Sequence, residues 1–329
     1  MILRFLKQSY AAQYVFVAFL VVVLWVPSFV YGPSIGGCPS GCSPLYDIIV
    51  RPLIAYPYLL QVVALLLLTF EAFFFNSFMV SNQLITRSST LGAVCYILFM
   101  SLMPWQMSLQ PILIASLFVV MLIHTLSLIY QTEHTERYLF NGGVFLAVAT
   151  MFYFPSVIIM PWALIALFVM GLSSLRTHLI FILGFLVVYF VLFSILFLVG
   201  DITPLMSSYY DFFSSLSFSL PSFDLLTLVG MSLLLILSLM PFERVGNSIG
   251  ERSIAMRKRL TMIYVLLPFA LLLIFLVDDV MSLGLILLVT ALLFSYRLSY
   301  VGKTRWIGIC FALFIVGVIA LQYYNFCGS

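Results

Sequence analysis

Residues Leu179 to Val199 read LIFILGFLVVYFVLFSILFLV, and no charged side chain interrupts them. A helix of about 20 apolar residues is long enough to cross the ~30 Å hydrocarbon core of a bilayer. The run is continuous rather than alternating, which is typical of a transmembrane helix and not of a strand in a membrane barrel. This stretch therefore predicts an integral membrane protein built from helices.

The rest of the chain has the same character. Of its 329 residues, 64% are hydrophobic and 8% are charged, whereas a soluble domain carries about 25% charged residues. Because hydrocarbon offers backbone polar groups no water, we expect an all-α fold, a polytopic transmembrane helical bundle. Polar stretches are too short for a separate soluble domain, so residues 1–329 are predicted to form a single integral membrane domain.

Apolar segments that approach the length of a span occur about eleven times. Two of them, 90–104 and 138–154, are short enough to be re-entrant or to thin the bilayer. Prolines lie between neighbouring segments, at Pro104 and Pro111 and again at Pro155, where they would end one helix or begin the next. The predicted segments lie near residues 11–31, 57–79, 90–104, 111–130, 138–154, 157–174, 178–199, 224–241, 260–277, 281–296 and 306–323.

The distribution of the basic residues predicts which side of the membrane each loop faces. With a cytoplasmic N-terminus, thirteen of the fourteen Lys and Arg residues fall on the cytoplasmic side, and only Arg51 falls outside. One missed or extra crossing would invert every later loop, so this bias supports both the orientation and the odd count. The C-terminus is then periplasmic. The cytoplasmic set is Arg4, Lys7, Arg87, Arg137, Arg176, Arg244, Arg252, Arg257, Lys258, Arg259, Arg297, Lys303 and Arg305.

Three loops are long. Residues 32–56 and 200–223 are predicted outer loops, and the aromatic-rich second one fits either a short interfacial amphipathic helix or a plain connector. The predicted cytoplasmic loop 242–259 is basic and ends in Arg257-Lys258-Arg259. We expect this triplet to set the topology and to touch anionic headgroups.

Five cysteines are too few for a disulfide scaffold. Cys38 and Cys42 lie in the first outer loop, where a disulfide between them, or with the outer Cys327, is one alternative. Cys95 and Cys310 fall within spans and are expected to be small core side chains. No histidine accompanies the outer cysteines, so no metal site is predicted there.

Few ionisable side chains lie inside the predicted spans, and each is costly unless it is neutral or paired. Glu71 is the only acid within a span, about 21 Å from the outer end of its segment, and His124 lies at a similar depth on another. The two form either a hydrogen bond that locks helices together or a proton-linked site. Asn76 and Asn141 border the same level, and the adjacent Gly142-Gly143 would allow close helix packing.

Several motifs carry a resemblance to a known family. LFNGGVFLA at Leu139–Ala147 continues through MFYFPS at Met151–Ser156 to Gly184-Phe185, and TFEAFFFN lies upstream at Thr69–Asn76. Over roughly residues 57–195, the chain resembles an uncharacterised family of polytopic membrane proteins in Gram-negative bacteria. The resemblance implies the bacterial inner (cytoplasmic) membrane and no assigned activity.

The chain also resembles, in general terms, the membrane glycosyltransferases that use polyprenyl-phosphate sugar donors. Those proteins share many helices, a cytoplasmic N-terminus and an essential acid in the first outer loop, the place of Asp47 in PLYDIIVR. The resemblance implies that Asp47 binds a metal or takes the acceptor proton and that Arg51 holds the phosphate. Asp201 or Asp211 would complete a metal site, and a solvated loop acid is the alternative for Asp47.

Three functions are compatible with these features. The preferred one is a non-catalytic membrane subunit or scaffold of an envelope assembly, which contacts lipids and either other envelope proteins or a second copy of itself. The alternatives are a glycosyltransferase-like enzyme with Asp47 and Arg51 at the periplasmic side, and a transporter or lipid flippase coupled through Glu71 and His124. No nucleotide fingerprint and no nucleic-acid-binding module is found, and the cofactor stays open.

Overall fold

The structure, a computed structural model, describes residue 6 and residues 11–31, 43–85, 89–102, 108–131, 135–200, 203–215, 254–277, 280–300 and 305–327. These residues form α-helices joined by turns and short 3-10 segments, as a chain in hydrocarbon requires. The described helices are α1 (Ala11–Tyr31), α2 (Pro44–Val50), α3 (Pro57–Ser81), α4 (Leu91–Met100), α5 (Pro111–Leu128), α6 (Thr135–Phe152), α7 (Ile159–Met170), α8 (Leu175–Val199), α9 (Thr203–Ser215), α10 (Ile254–Leu276), α11 (Leu283–Tyr300) and α12 (Arg305–Cys327).

Seven of the described helices are long and apolar enough to cross a membrane, namely α1, α3, α5, α8, α10, α11 and α12. The chain thus has the all-helical architecture of a multi-pass membrane protein. Helices α4 and α7 are apolar but shorter, and the more polar α6 begins with Thr135-Glu136-Arg137. The predicted segment 224–241 lies outside the described residues. The count of about eleven spans and the sides of the termini therefore stay predictions.

The third predicted segment is shorter than a span. Helix α4 has 10 residues, which corresponds to about 15 Å, or half of the hydrocarbon core. All of its side chains are buried, because it packs against α3 on one side and α11 on another. A helix that is apolar all round belongs in the interior, and α4 occupies that place.

Helix α8 lies at the periphery. Its exposed side chains are large and apolar, with Phe190 73% and Leu198 83% exposed, as expected for a face that lipid covers. It packs on α6, and glycines allow this contact. A Cβ atom at Gly143 would overlap the backbone carbonyl oxygen of Phe181, and one at Gly184 would overlap the carbonyl oxygen of Phe140. The close helix approach predicted at Gly142-Gly143 is confirmed.

Interhelical bonds show which helix ends lie together. Gln61 near the start of α3 donates 3.0 Å to the carbonyl oxygen of Ser28 near the end of α1. Lys258 near the start of α10 donates 3.0 Å to the carbonyl oxygen of Met170, the last residue of α7. Helices α3 and α5 also end near the start of α10, beside Arg259. We refer to this side of the bundle as the Arg259 end.

The predicted loops contain helices. Helices α2 and α9 lie within the loops predicted at 32–56 and 200–223. Helix α9 packs aromatic side chains on Phe154, whose ring centroid lies 4.8 Å from that of Phe212. Helix α10 begins at Ile254, inside the predicted cytoplasmic loop 242–259, and residues 242–253 of that loop lie outside the described residues, so its placement stays a prediction.

Candidate functional site

Glu71 lies in the apolar interior of the bundle and is 2% exposed. Its Oε2 accepts hydrogen bonds from the Tyr96 hydroxyl and, at 3.0 Å, from the Ser116 hydroxyl. Its Oε1 is buried and has no hydrogen-bond partner among the described residues. No cation in the described part of the chain forms a salt bridge with Glu71. The site is therefore a buried acid held by two hydroxyls, each on a different neighbouring helix.

The expected pairing of Glu71 with His124 is not formed. The His124 Nδ1 atom lies 3.4 Å from the Asn82 amide nitrogen, and the rings of Phe74 and Phe78 meet the imidazole edge-on. The two residues would share one depth only if α3 and α5 began at the same level. Glu71, the fifteenth residue of α3, instead meets Ser116, the sixth residue of α5. Helix α5 thus begins about 13 Å deeper in the bundle.

The two asparagines predicted at this level have separate environments. The Asn76 side-chain oxygen accepts a hydrogen bond of 3.3 Å from the backbone N–H of Ala93, in the first turn of α4. The first N–H groups of a helix lack intrahelical partners, and Asn76 satisfies one of them from a neighbouring helix. Asn141 lies half-buried on α6. Glu71, Asn76, His124 and Asn141 therefore do not form one hydrogen-bonded cluster among the described residues.

A second polar site is centred on Arg259, which is 1% exposed. Its guanidinium donates two hydrogen bonds of 3.2 Å, from Nε to the carbonyl oxygen of Ser127 and from Nη1 to that of Asn82. These carbonyls belong to the C-terminal regions of α5 and α3, where the helix dipole is negative and the last carbonyls lack N–H partners. Arg259 therefore binds two helix ends at once.

Lys258 binds a third helix end. Its Nζ donates to the Met170 carbonyl and lies 4.8 Å from the ring centroid of Tyr130. Helix α7 ends there because Gly171 adopts the left-handed conformation, with φ of +95°. Two members of the basic triplet thus contact backbone carbonyls inside the protein, where lipid headgroups were expected.

The side chains of the proposed catalytic pair, Asp47 and Arg51, lie outside the described part of the structure. The backbone of Asp47 belongs to α2, and Arg51 opens the 3-10 turn Arg51–Leu53. The neighbouring Tyr46 hydroxyl donates 2.7 Å to the carbonyl oxygen of Leu109, which holds α2 near the start of α5. No geometry for catalysis follows from these positions.

The cysteines also fall partly inside and partly outside the described residues. Cys38, Cys42 and the side chain of Cys327 lie outside the described residues, so their disulfides stay predictions. Cys95 is buried as expected, whereas Cys310 is exposed and is not a core side chain. Among the described residues, no group of three or more His, Cys, Asp or Glu side chains is placed to hold a metal ion.

Comparison with known proteins gives one match. A family model described as "Family of unknown function (DUF6427)" matches residues 53–327. No curated protein and no solved structure matches the chain. The match agrees with the resemblance to an uncharacterised family, and these comparisons give no support to the glycosyltransferase likeness.

Proposed function

Because the chain belongs to a family of unknown function, DUF6427, we propose a role from its own residues, that of a non-catalytic subunit of the bacterial inner membrane. In this proposal the protein crosses the membrane about eleven times. It holds together an envelope assembly, formed with other membrane proteins or with a second copy of itself.

Buried polar side chains bond one helix to another, and this is the observation that carries the proposal. Glu71 joins α3 to α4 and α5, Gln61 joins α3 to α1, and Arg259 joins α10 to the ends of α3 and α5. Gln322 of α12 donates in the same way to the Ser101 carbonyl, just after α4. Polar groups used in this way fix helix packing, as a scaffold requires.

We expect the tagged protein, extracted in mild detergent, to co-purify with a stoichiometric membrane partner or as an oligomer. Glu71→Gln should leave this assembly and the cellular abundance within about threefold of wild type, since an interhelical hydrogen bond in a membrane is worth about 0.6 kcal/mol on average. Ser116→Ala is the matched control, because it removes one bond to the carboxyl and keeps the acid. Isolation of a monomer without partners would contradict the subunit proposal.

A proton-coupled transporter is the second candidate, and one observation favours it. The Oε1 atom of Glu71 is buried without a hydrogen-bond partner among the described residues, and intramembrane acids often belong to proton relays. Under this alternative, Glu71→Gln abolishes a pH-dependent uptake that Ser116→Ala preserves. The same pair of variants therefore separates the two functions.

The proposed topology places the Arg259 end in the cytoplasm and α9 in the periplasm. It is supported by the basic residues of the described helices at that end, among them Arg137, Arg176 and Lys258.

In a cysteine-free background, we expect an impermeant thiol reagent applied from the periplasm to label Tyr210→Cys, a site 74% exposed in the wild type. Arg137→Cys should react only after the membrane is opened. The reverse pattern would invert the topology.

A further inference from the structure

The basic triplet at the start of α10 spreads around the helix, because successive residues are about 100° apart. Lys258 faces the end of α7, and Arg259 faces the ends of α3 and α5. Arg257 therefore lies on a third side of α10, away from the carbonyls that its two neighbours bind. The Arg257 residue is half-buried, and its buried Nε has no hydrogen-bond partner among the described residues.

Arg297, on the adjacent helix α11, is in the same situation. It is half-buried, and its buried Nη1 also lacks a hydrogen-bond partner in the described part of the chain. The last residue of α11, Tyr300, donates 3.3 Å to the carbonyl oxygen of Gln83, next to the Asn82 carbonyl that Arg259 binds, so α11 also ends at the Arg259 end. Arg257 is the fourth residue of α10 and Arg297 the fourth from the end of α11, and these two helices pack on each other. The two arginines thus flank the α10–α11 contact at the Arg259 end.

No described acid neutralises these two charges. The salt bridge of the described residues joins Arg176 to Glu136, at 2.7 Å and on other helices. A half-buried guanidinium with unused N–H donors is costly without an anion. The planar guanidinium fork matches the geometry of phosphate oxygens, which accept its N–H groups in pairs.

We propose that Arg257 and Arg297 bind the phosphate of an anionic lipid headgroup where α10 meets α11. The proposal rests on the cytoplasmic placement of the Arg259 end, because basic pockets between helices on that side face a leaflet that carries anionic lipid. The headgroup site is therefore formed by residues from two helices. It does not use Lys258 and Arg259, which the helix ends already occupy.

The full-length protein in detergent, titrated with phosphatidylglycerol or phosphatidylcholine and followed by native mass spectrometry, tests the site. We expect a preference for phosphatidylglycerol. Arg257→Gln combined with Arg297→Gln should weaken its binding about 25-fold, since each arginine near an anionic headgroup contributes about fivefold. Arg257→Lys with Arg297→Lys should keep most of the binding, because the charge remains.

Arg137→Gln with Arg176→Gln is the matched control, because it removes two exposed charges at the same end and should leave binding unchanged. Equal binding of the two lipids, or equal binding by wild type and the Arg257→Gln, Arg297→Gln variant, would overturn the site. Inorganic phosphate that displaces the lipid and stabilises the protein equally would show a free-anion site instead. The assay needs no partner and no vesicle sidedness, so its failure is distinguishable from failure of the subunit or topology proposal.

Discussion

Arg259→Ala is expected to destabilise the folded protein by about 3 to 5 kcal/mol. The change removes two charge-assisted hydrogen bonds, each 3.2 Å long, to the carbonyls of Asn82 and Ser127. Asn82 and Ser127 are buried, at 1% and 0% exposed, so the truncation leaves their carbonyls without a donor in the interior. The measurement is the temperature at which half of the detergent-solubilised protein remains monodisperse.

Two further variants separate the interhelical contact from the charge itself. Arg259→Lys keeps the charge but has a single nitrogen, so it should reach one carbonyl and recover part of the stability. Arg137→Ala removes an exposed arginine and should change stability by no more than about 0.5 kcal/mol. Equal melting of Arg259→Ala and Arg137→Ala would show that the helix ends do not depend on the buried guanidinium.

Gly143→Ala is expected to be the most damaging single-methyl addition in the described helices, at about 3 kcal/mol. The new Cβ would overlap the Phe181 carbonyl oxygen and lie 2.8 Å from the Phe185 nitrogen. Both obstacles are backbone atoms, which cannot rotate away as a side chain can, so α6 and α8 must separate. Gly184→Ala should have a similar effect from the other side of the same contact.

The chain offers an internal control for these glycine variants. Gly308 and Gly317 lie on α12, where a Cβ atom would meet no neighbouring side chain or helix within 4 Å among the described residues. Alanine favours a helix by up to about 1 kcal/mol over glycine, so Gly308→Ala and Gly317→Ala should be neutral or stabilising in the same melting assay. If Gly143→Ala has the same melting temperature as these two controls, the close packing of α6 on α8 is refuted. The double variant Gly143→Ala, Gly184→Ala should lose less than the sum, because the two sites share one contact.

The position of Glu71 in a span could be predicted from the sequence, but its hydrogen-bond partners could not. The residue stood out as an acid within an apolar run, and its burial is confirmed. Its partners were not predictable, because Tyr96 and Ser116 lie on two other helices and no spacing in the chain links them. The count of residues from each proline suggested His124, and the different starting depths of α3 and α5 made that estimate wrong.

The location of the basic triplet Arg257-Lys258-Arg259 could also be predicted from the sequence, but the groups that it binds could not. Its position beside an apolar run predicted a location at a membrane boundary, and hydropathy does not distinguish a headgroup from a helix end as its ligand. Lys258 and Arg259 contact helix ends because α3, α5 and α7 all terminate beside the start of α10. That convergence depends on contacts between residues 88 or more positions apart in the chain.

Local chemistry by itself determined that this protein is helical and of membrane type, because runs of apolar residues leave the backbone no other way to bond its polar groups in hydrocarbon. It also determined where some helices begin, since proline acts on the nearest turn, as at Pro57 and Pro111. Only the tertiary structure decided which polar side chains meet. The depth and rotation of each helix are set by packing against its neighbours, and hydrophobicity alone does not specify either.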